Sequence, residues 1–263
     1  MKEDRLKMIV QYMTEHNNTA SVMELCDTFH VSDMTIRRDL QTLEKSKQII
    51  RHHGGASLNN IANSPFSAES LNMRLNTNRE LKLSLGKIGA KYLEKELERV
   101  ECSSIFLASG STLYCMANQI DFSLNQTTLV TDNLSVSEIF APNPEYTVIM
   151  IGGQITLPSL NCVGHLAEKM IRSFTYDYAF IGAATIDEEG YVYTYNFIEA
   201  GTFLSILESS KKIVVIADST KVCKKTFVQL FKLQKGHTLI TNSDIPEKFR
   251  ETLMSNGVHI ITD

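Results

Sequence analysis

From Arg5 onward the apolar residues Leu6, Ile9, Val10 and Met13 recur at the i, i+3, i+4, i+7 spacing of a helix with one buried face. Asn17 and Asn18 end that stripe. A second, shorter helix fits Ser21 to Phe29, with Ser21 as its N-cap and Val22, Leu25, Cys26 and Phe29 turned inward. His30 and Val31 form a turn, and Ser32 caps a third helix whose first residue, Asp33, suits the positive end of the helix dipole. Advancing about 100° per residue gathers Ile36, Leu40 and Leu43 on the inner face and turns Met34, Arg38 and Gln41 outward, with Thr35, Arg37 and Thr42 flanking. Ile49 and Ile50 read as a strand, and Arg51, His52 and His53 lead into the turn residues Gly54 and Gly55. A short helix, a tight turn, a capped helix and a basic hairpin follow the order of a winged helix-turn-helix, an α+β unit that sets one helix in the major groove of DNA.

Residues 58–78, LNNIANSPFSAESLNMRLNTN, lack sustained periodicity and are rich in Asn and Ser, so they read as a connector. Phe66, Leu71 and Leu75 are apolar enough to dock on a neighbouring surface. After a helix from about Glu80 to Leu97 the pattern changes. Short apolar runs (SIFLA at 104, TLVT at 128, TVIMIGG at 147, YAFIGA at 178, KIVVIAD at 212, TLIT at 238, VHIIT at 258) alternate with helical stretches. Buried strands separated by helices imply a mainly parallel sheet covered on both faces, a Rossmann-like α/β domain. The pattern therefore gives a DNA-binding domain over 1–57, a linker over 58–78 and an α/β domain over 79–263, the last expected, from the loops and the resemblance described below, to sense an effector and to oligomerise.

Composition narrows this reading. With 263 residues, 43% hydrophobic content and a formal net charge of -4, the chain can fill two cores but is not coated in nucleic-acid-binding charge. Residues 1–57 hold eight bases and eight acids, yet five of the bases fall between 37 and 51. That balance predicts modest affinity per DNA-binding head and a homo-oligomer, dimer or tetramer, on double-stranded operator DNA. Five cysteines without a C-x-x-C pair argue against a disulfide framework or zinc cluster and read as small buried apolar residues. His52 and His53 lack further ligands at metal spacing, so neither a metal nor a cofactor is expected. No segment reaches the roughly 20 apolar residues of a membrane span, and the amino terminus resembles no signal peptide, so a cytoplasmic protein is expected.

The candidate chemistry falls in two places. Arg37 and Arg38 carry planar forks that can bridge phosphate oxygens or take guanine O6 and N7 together; with Ser32, Asp33, Met34, Thr35, Gln41, Arg51, His52 and His53 they form the DNA-facing set. In parallel sheets ligands bind beyond the carboxyl ends of the strands. Those positions hold Ser109, Gly110, Ser111 and Thr112, then Asp132 and Asn133, Gly152 and Gly153, Gly182 and Ala183, and Ser219, Thr220 and Lys221. Any strand-to-helix loop favours such residues, but their repetition, with Lys221 and Glu199, points to a site for an anionic small molecule.

The run VSDMTIRRDLQTLEKSKQIIRHHGGA at 31–56 closely resembles the signature of DeoR-type (deoxyribose-operon repressor-like) bacterial transcription regulators, with its V-S-x-x-T-I-R-R-D-L core and trailing R-x-x-G-G-A. Because that family reads many operators with one T-I-R-R-D-L, the resemblance implies that Thr35, Arg37 and Arg38 hold the DNA backbone, while Asp33, Met34 and Gln41 discriminate bases. It extends through the Lys82 helix, the G-S-T loop, V-T-x-N, I-G-G, V-G at Val163 and Gly164, F-I-G-A, E-A at Glu199 and Ala200, and A-D-S-x-K ending at Lys221. A sensor domain similar in fold to ribose-5-phosphate isomerase, glucosamine-6-phosphate deaminase and coenzyme A transferases is implied, with an inducer site at the matched positions for a phosphorylated sugar or related metabolite. The chain departs from the family at Ala108, usually aspartate, at Asp132-Asn133 in place of Asn-Ser, and at Phe203, usually lysine. A lost cation and an added anion both disfavour a doubly charged phosphate there.

The function expected is a DNA-binding regulator, a repressor of a carbohydrate uptake or catabolic operon controlled by a small effector, and not an enzyme. The alternatives are a sugar-phosphate isomerase or deaminase using Glu199 or Asp132 as base, and a regulator whose sensor only oligomerises.

Overall fold

The computed structural model describes residues 2–16, 19–46, 48–52, 54–58, 71–99, 104–121, 127–157 and 159–263. By contacts the chain divides into two units, Met1–Ser67 and Ala68–Asp263. Among the described residues no helix is long and apolar enough to cross a membrane.

The smaller unit runs α1 (Lys2–Glu15), β1 (Thr19–Ser21), α2 (Val22–Phe29), α3 (Asp33–Lys45), β2 (Ile49–His52) and β3 (Gly55–Leu58). Its core joins Ile9 and Met13 of α1, Leu25 of α2, Ile36, Leu40 and Leu43 of α3, and Ile49. The Ser21 cap is reciprocal: the Glu24 N–H donates to Ser21 Oγ at 3.1 Å and the Ser21 N–H donates to Glu24 Oε2 at 2.6 Å, which satisfies two groups the helix end leaves open. α2 stops at His30, whose φ of 51° is left-handed.

Two features of this unit lie outside the sequence reading. β1 adds a third strand, giving the antiparallel order β1-β3-β2. Gly55, read as a turn residue, lies in β3 opposite Ser21, and a Cβ there would stand 2.6 Å from the Ala20 carbonyl oxygen. Gly54, with φ of 84°, is the glycine that makes the turn. His53, and Asn17, Asn18 and Phe66, lie outside the described residues.

The larger unit begins with α4 (Leu71–Asn76) and α5 (Arg79–Leu97). α4 lies inside the stretch read as connector and packs on α5 and α6. β4 (Ser104–Leu107), α6 (Ser111–Ala117), β5 (Thr128–Thr131), α7 (Leu134–Phe140), β6 (Thr147–Met150), the hairpin β7 (Gln154–Thr156) and β8 (Asn161–Val163), and α8 (His165–Arg172) follow. The chain ends with β9 (Tyr176–Gly182), β10 (Thr185–Ile186), β11 (Tyr191–Thr194), α9 (Phe197–Glu208), β12 (Ser210–Ile216), β13 (Val228–Lys232), β14 (His237–Ile240), α10 (Glu247–Ser255) and β15 (His259–Ile261).

Seven strands form the main sheet in the order β15-β14-β12-β9-β4-β5-β6, every pair parallel. These are the seven apolar runs read from sequence. Alternation along each strand splits the core. Ala179, Ile181, Ile213 and Val215 face Ala167 and Ile171 of α8, Ile206 of α9 and Phe249 of α10. Tyr178, Phe180, Val214 and Ile216 face Leu85 and Leu93 of α5, Met116 of α6 and Phe140 of α7. From β4 the chain builds β5 and β6 on one side, while β9, β12, β14 and β15 fill the other. The order therefore reverses between β4 and β9, the position at which parallel sheets take ligands beyond the strand ends. Cys115 and Cys162 are buried as expected of small apolar residues, whereas Cys26 and Cys223 are only half-buried; Cys102 lies outside the described residues.

Candidate functional site

On α3 the Ser32 cap is formed, its oxygen accepting the Thr35 N–H at 3.4 Å and lying 2.9 Å from Thr35 Oγ1. Met34 is 64% exposed, and Arg37, Arg38 and Gln41 stand on the same solvent side. Arg37 is already engaged: its Nε donates to Asp33 Oδ1 at 2.5 Å and its Nη2 donates to Asp33 Oδ2 at 3.1 Å. That bond holds the Asp33 carboxyl below its ordinary pKa. Arg38 makes no ion pair among the described residues, so its fork is the one presented without a protein partner. Arg51, on β2 of the wing, lies 3.5 Å from Glu44 near the end of α3. His52 closes the β2–β3 register opposite Gly55.

Sequence periodicity missed Asp39. It lies on α3 between the two arginines and Leu40, is 1% exposed, and accepts from Arg5 Nε of α1 at 2.6 Å. Buried carboxylates persist when paired, and this pair fastens α1 to the back of α3. An acid at a position flanking the apolar stripe, with a lone arginine on the first helix, was the available signal.

In the larger unit the strand-end residues are drawn together into linked polar groups. The Ser109 N–H donates to Asp132 Oδ1 at 2.8 Å, joining the loops after β4 and β5. Burial, aided by the neighbouring Glu199 charge, pushes the Asp132 carboxyl up to about 7 against the opposing Ser109 bond. Asn133 caps α7, its Oδ1 accepting the Val136 N–H at 3.1 Å while its Nδ2 donates to Asn161 Oδ1 at 2.8 Å. Asn161 in turn donates to Glu199 Oε1 at 3.2 Å. Burial raises the Glu199 pKa, and the nearby Arg74 charge opposes that rise.

Cations collect at the same strand ends. Lys221 Nζ donates to the Ala183 carbonyl oxygen at 2.9 Å, and desolvation lowers its pKa to about 8, with the charges of Lys82 and Arg74 contributing. Lys82, only 4% exposed, donates to the carbonyl oxygens of Arg74 and Thr77. Arg74 is therefore a candidate the sequence reading did not name. It sits on the six-residue α4, too short to show a helical period. Thr112 Oγ1 and Asp218 Oδ2 are buried without a hydrogen-bond partner among the described residues, as are the hydroxyls of Thr185, Thr202 and Thr241.

The glycines differ. Gly110, with φ of 141°, turns the chain between Ser109 and α6. A Cβ on Gly153 would come within 2.8 Å of the Val163 carbonyl oxygen, so its task is close packing, whereas Gly152 faces open space. Gly182 ends β9 beside Leu113, and Ser111 is buried at the first turn of α6. Phe203, at the family's lysine position, is packed against the apolar core. Ala108 is buried, its N–H donating to the Phe180 carbonyl oxygen at 3.0 Å.

The family model for the DeoR C terminal sensor domain matches residues 78–243, and that for the DeoR-like helix-turn-helix domain matches residues 5–62. The chain belongs to the DeoR family. It is thus a DNA-binding transcriptional regulator with a winged helix-turn-helix unit and a larger α/β sensor unit built on a parallel sheet. Among DeoR-family relatives, the glycerol-3-phosphate regulon repressor of Haemophilus influenzae is 28% identical over 94% of this chain and 92% of its own. That of Escherichia coli is 25% identical over 99% of both. The repressor GlcR of Bacillus subtilis is 24% identical over 99% of this chain and 96% of its own. Among solved structures, the sorbitol operon regulator SorC of Klebsiella pneumoniae superposes with a TM-score of 0.38 at 12% identity, over 82% of this chain and 88% of that one.

Proposed function

We propose that the protein represses a carbohydrate uptake or catabolic operon from the cytoplasm, as a homo-oligomer whose hold on operator DNA is set by a small phosphorylated sugar-like effector. The observation that carries this reading is the capped α3, which presents Arg38, Gln41 and Met34 to solvent beside a basic wing, on the same chain as the linked polar groups and lysines at the sheet's strand ends. Arg38 and Arg37 act on phosphates, with Asp33 orienting the Arg37 fork, and Met34 and Gln41 meet base edges. A head whose charges nearly cancel binds weakly alone, so two or more heads on one assembly supply the affinity.

This strand-end group suits a ligand with two unlike ends. Lys82, Lys221 and Arg74 favour an anionic end. Asp132, Asn161 and Glu199 offer acceptors and a donor to hydroxyl groups. Only differential affinity for one arrangement of the heads is needed for control, and no covalent step is required. Asp132 and Glu199 serve here as ligand-orienting groups rather than as a general base.

Fluorescence anisotropy on DNA flanking the gene tests the first half. Arg37→Ala with Arg38→Ala is expected to lower the slope of log affinity against log salt by about 1 to 2 per head; an unchanged slope removes the assignment. Melting against a panel of sugar phosphates tests the second, a ligand at about 100 times its Kd adding roughly 2.7 kcal/mol. Turnover of ribose 5-phosphate by the full chain would instead support an enzyme.

A further inference from the structure

Six large apolar residues of the larger unit stand in solvent within a single neighbourhood. Ile155 is 52% exposed, Leu157 75%, Leu166 71%, Tyr195 47%, Phe197 68% and Ile198 43%. They belong to the β7–β8 hairpin, the first turn of α8, the β11–α9 junction at Tyr195, and the first turn of α9. These elements form one frame. Gly153 lies against the Val163 carbonyl oxygen and Ala167, and Gly201 of α9 lies so close to the Glu168 carboxylate of α8 that a Cβ would collide with it. Further along, Arg172 Nε donates to Glu208 Oε2 at 2.9 Å. α8 and α9 therefore run side by side in the same direction with their amino-terminal ends level. The Asn161 to Glu199 bond of 3.2 Å ties that end to the hairpin.

Taking about 200 Å² for a large apolar or aromatic side chain, these residues expose on the order of 700 Å². The largest apolar patch of an ordinary monomer is about 300–600 Å², whereas each partner in a stable pair contributes about 800 Å². Polar residues border the patch, with His165, Lys169 and Arg172 on the exposed side of α8, as a rim borders an interface core.

We infer that this face, formed by the β7–β8 hairpin and the paired amino-terminal ends of α8 and α9, is where a second copy of the chain docks through a two-fold contact. The inference rests on the reading above that the protein acts as a homo-oligomer, and it names the surface. A two-fold axis lets one apolar patch serve as its own partner. The position also gives the effector a route to DNA. Asn161 and Glu199, candidate effector contacts, sit on the elements that carry the face, so a ligand that moves either one changes the angle between protomers.

The test is the mass of the full-length chain by sedimentation and light scattering over a dilution series. The wild type is expected to associate, and Leu166→Glu with Phe197→Glu to weaken that association by about 100-fold or more. Met254→Glu, equally exposed on α10, is expected to change nothing. Should the double variant melt early, Leu157→Asp alone repeats the test, since that side chain is three-quarters exposed and loses no core contact. An associated wild type whose variants keep its mass overturns the face while leaving the oligomer reading intact. A wild type that binds operator as a monomer at every concentration overturns both. A change of hydrodynamic radius at constant mass would place an intrachain partner on the face and overturn the proposal.

Discussion

On α3 the groups offered to DNA stand in water on a frame fixed by apolar packing, whereas around Ser109, Asp132 and Asn133 the polar groups are enclosed and hold one another. The first arrangement can exchange a side chain with little effect on folding, because each fork or amide is solvated in the free protein. In the second, every group placed in the proposed effector site also has a folding role. Removing one leaves a buried partner without its bond or charge.

Asp39 breaks this division, and its loss is the largest effect expected. It belongs to the DNA-reading helix by sequence, yet its carboxylate is buried against Arg5. Asp39→Ala leaves the part-buried guanidinium without its carboxylate, at a cost of about 3 kcal/mol, the low end for a broken buried pair because Arg5 keeps some solvent. Chemical denaturation followed by circular dichroism would read this as early melting of the helix-turn-helix. A loss below about 1 kcal/mol would return Asp39 to the exposed class.

A second effect belongs to the enclosed groups and depends on pH. Burial and Glu199 raise the Asp132 carboxyl to about 7, whereas the unfolded chain ionises it near 4. Between those values the folded state keeps a proton the unfolded state has lost. The stability from this group is present below about pH 4 and is lost as pH rises through about 7. Asp132→Asn removes the dependence, so the variant's Tm relative to wild type is expected to rise by several °C between about pH 5 and about pH 8, given roughly 2–4 °C per kcal/mol in a domain of this size. Parallel Tm profiles for the two proteins would mean that Asp132 is solvated and belongs with the α3 groups.

The same contrast explains what the chain revealed before its structure. Helix caps at Ser21 and Ser32, the inward stripe Ile36, Leu40 and Leu43, and all seven parallel strands were legible because local periodicity and capping specify them. β1, three residues long, takes its partner from β3 more than thirty positions away, so no local pattern announced it. The strand-end group was legible as a set of loops but not as a network. Asn161 comes from a short hairpin and Arg74 from a single-turn helix, and both reach the site through contacts distant in sequence. Gly55 was misplaced for the same reason, since its requirement is a neighbouring strand and not a turn.

A smaller effect distinguishes the two caps. Ser21 satisfies its helix through a two-way bond with Glu24, while Ser32 reaches the Thr35 N–H only at 3.4 Å. Ser21→Ala is expected to cost about 1 kcal/mol and Ser32→Ala about half of that. Urea midpoints of the two variants measure the difference, and equal losses would mean that the longer bond at Ser32 tightens in solution.

The smallest effect on folding is expected where the effect on DNA is most informative. Asp33 and Arg37 form an exposed i, i+4 pair, and such pairs add little to a folded domain. Asp33→Asn should move Tm by less than about 2 °C. It also withdraws a carboxylate from the DNA-facing surface and releases the Arg37 fork. Affinity for non-operator DNA should then rise by a few-fold, with a salt slope steeper by about 1 per head, because one more cation is free to displace counterions. Discrimination between operator and non-operator DNA should fall, since the group that orients the fork and rejects misplaced phosphates is gone. A variant that binds both DNAs as the wild type does would show that Asp33 neither holds Arg37 nor meets a base, and would leave Met34 and Gln41 as the residues on α3 that read sequence.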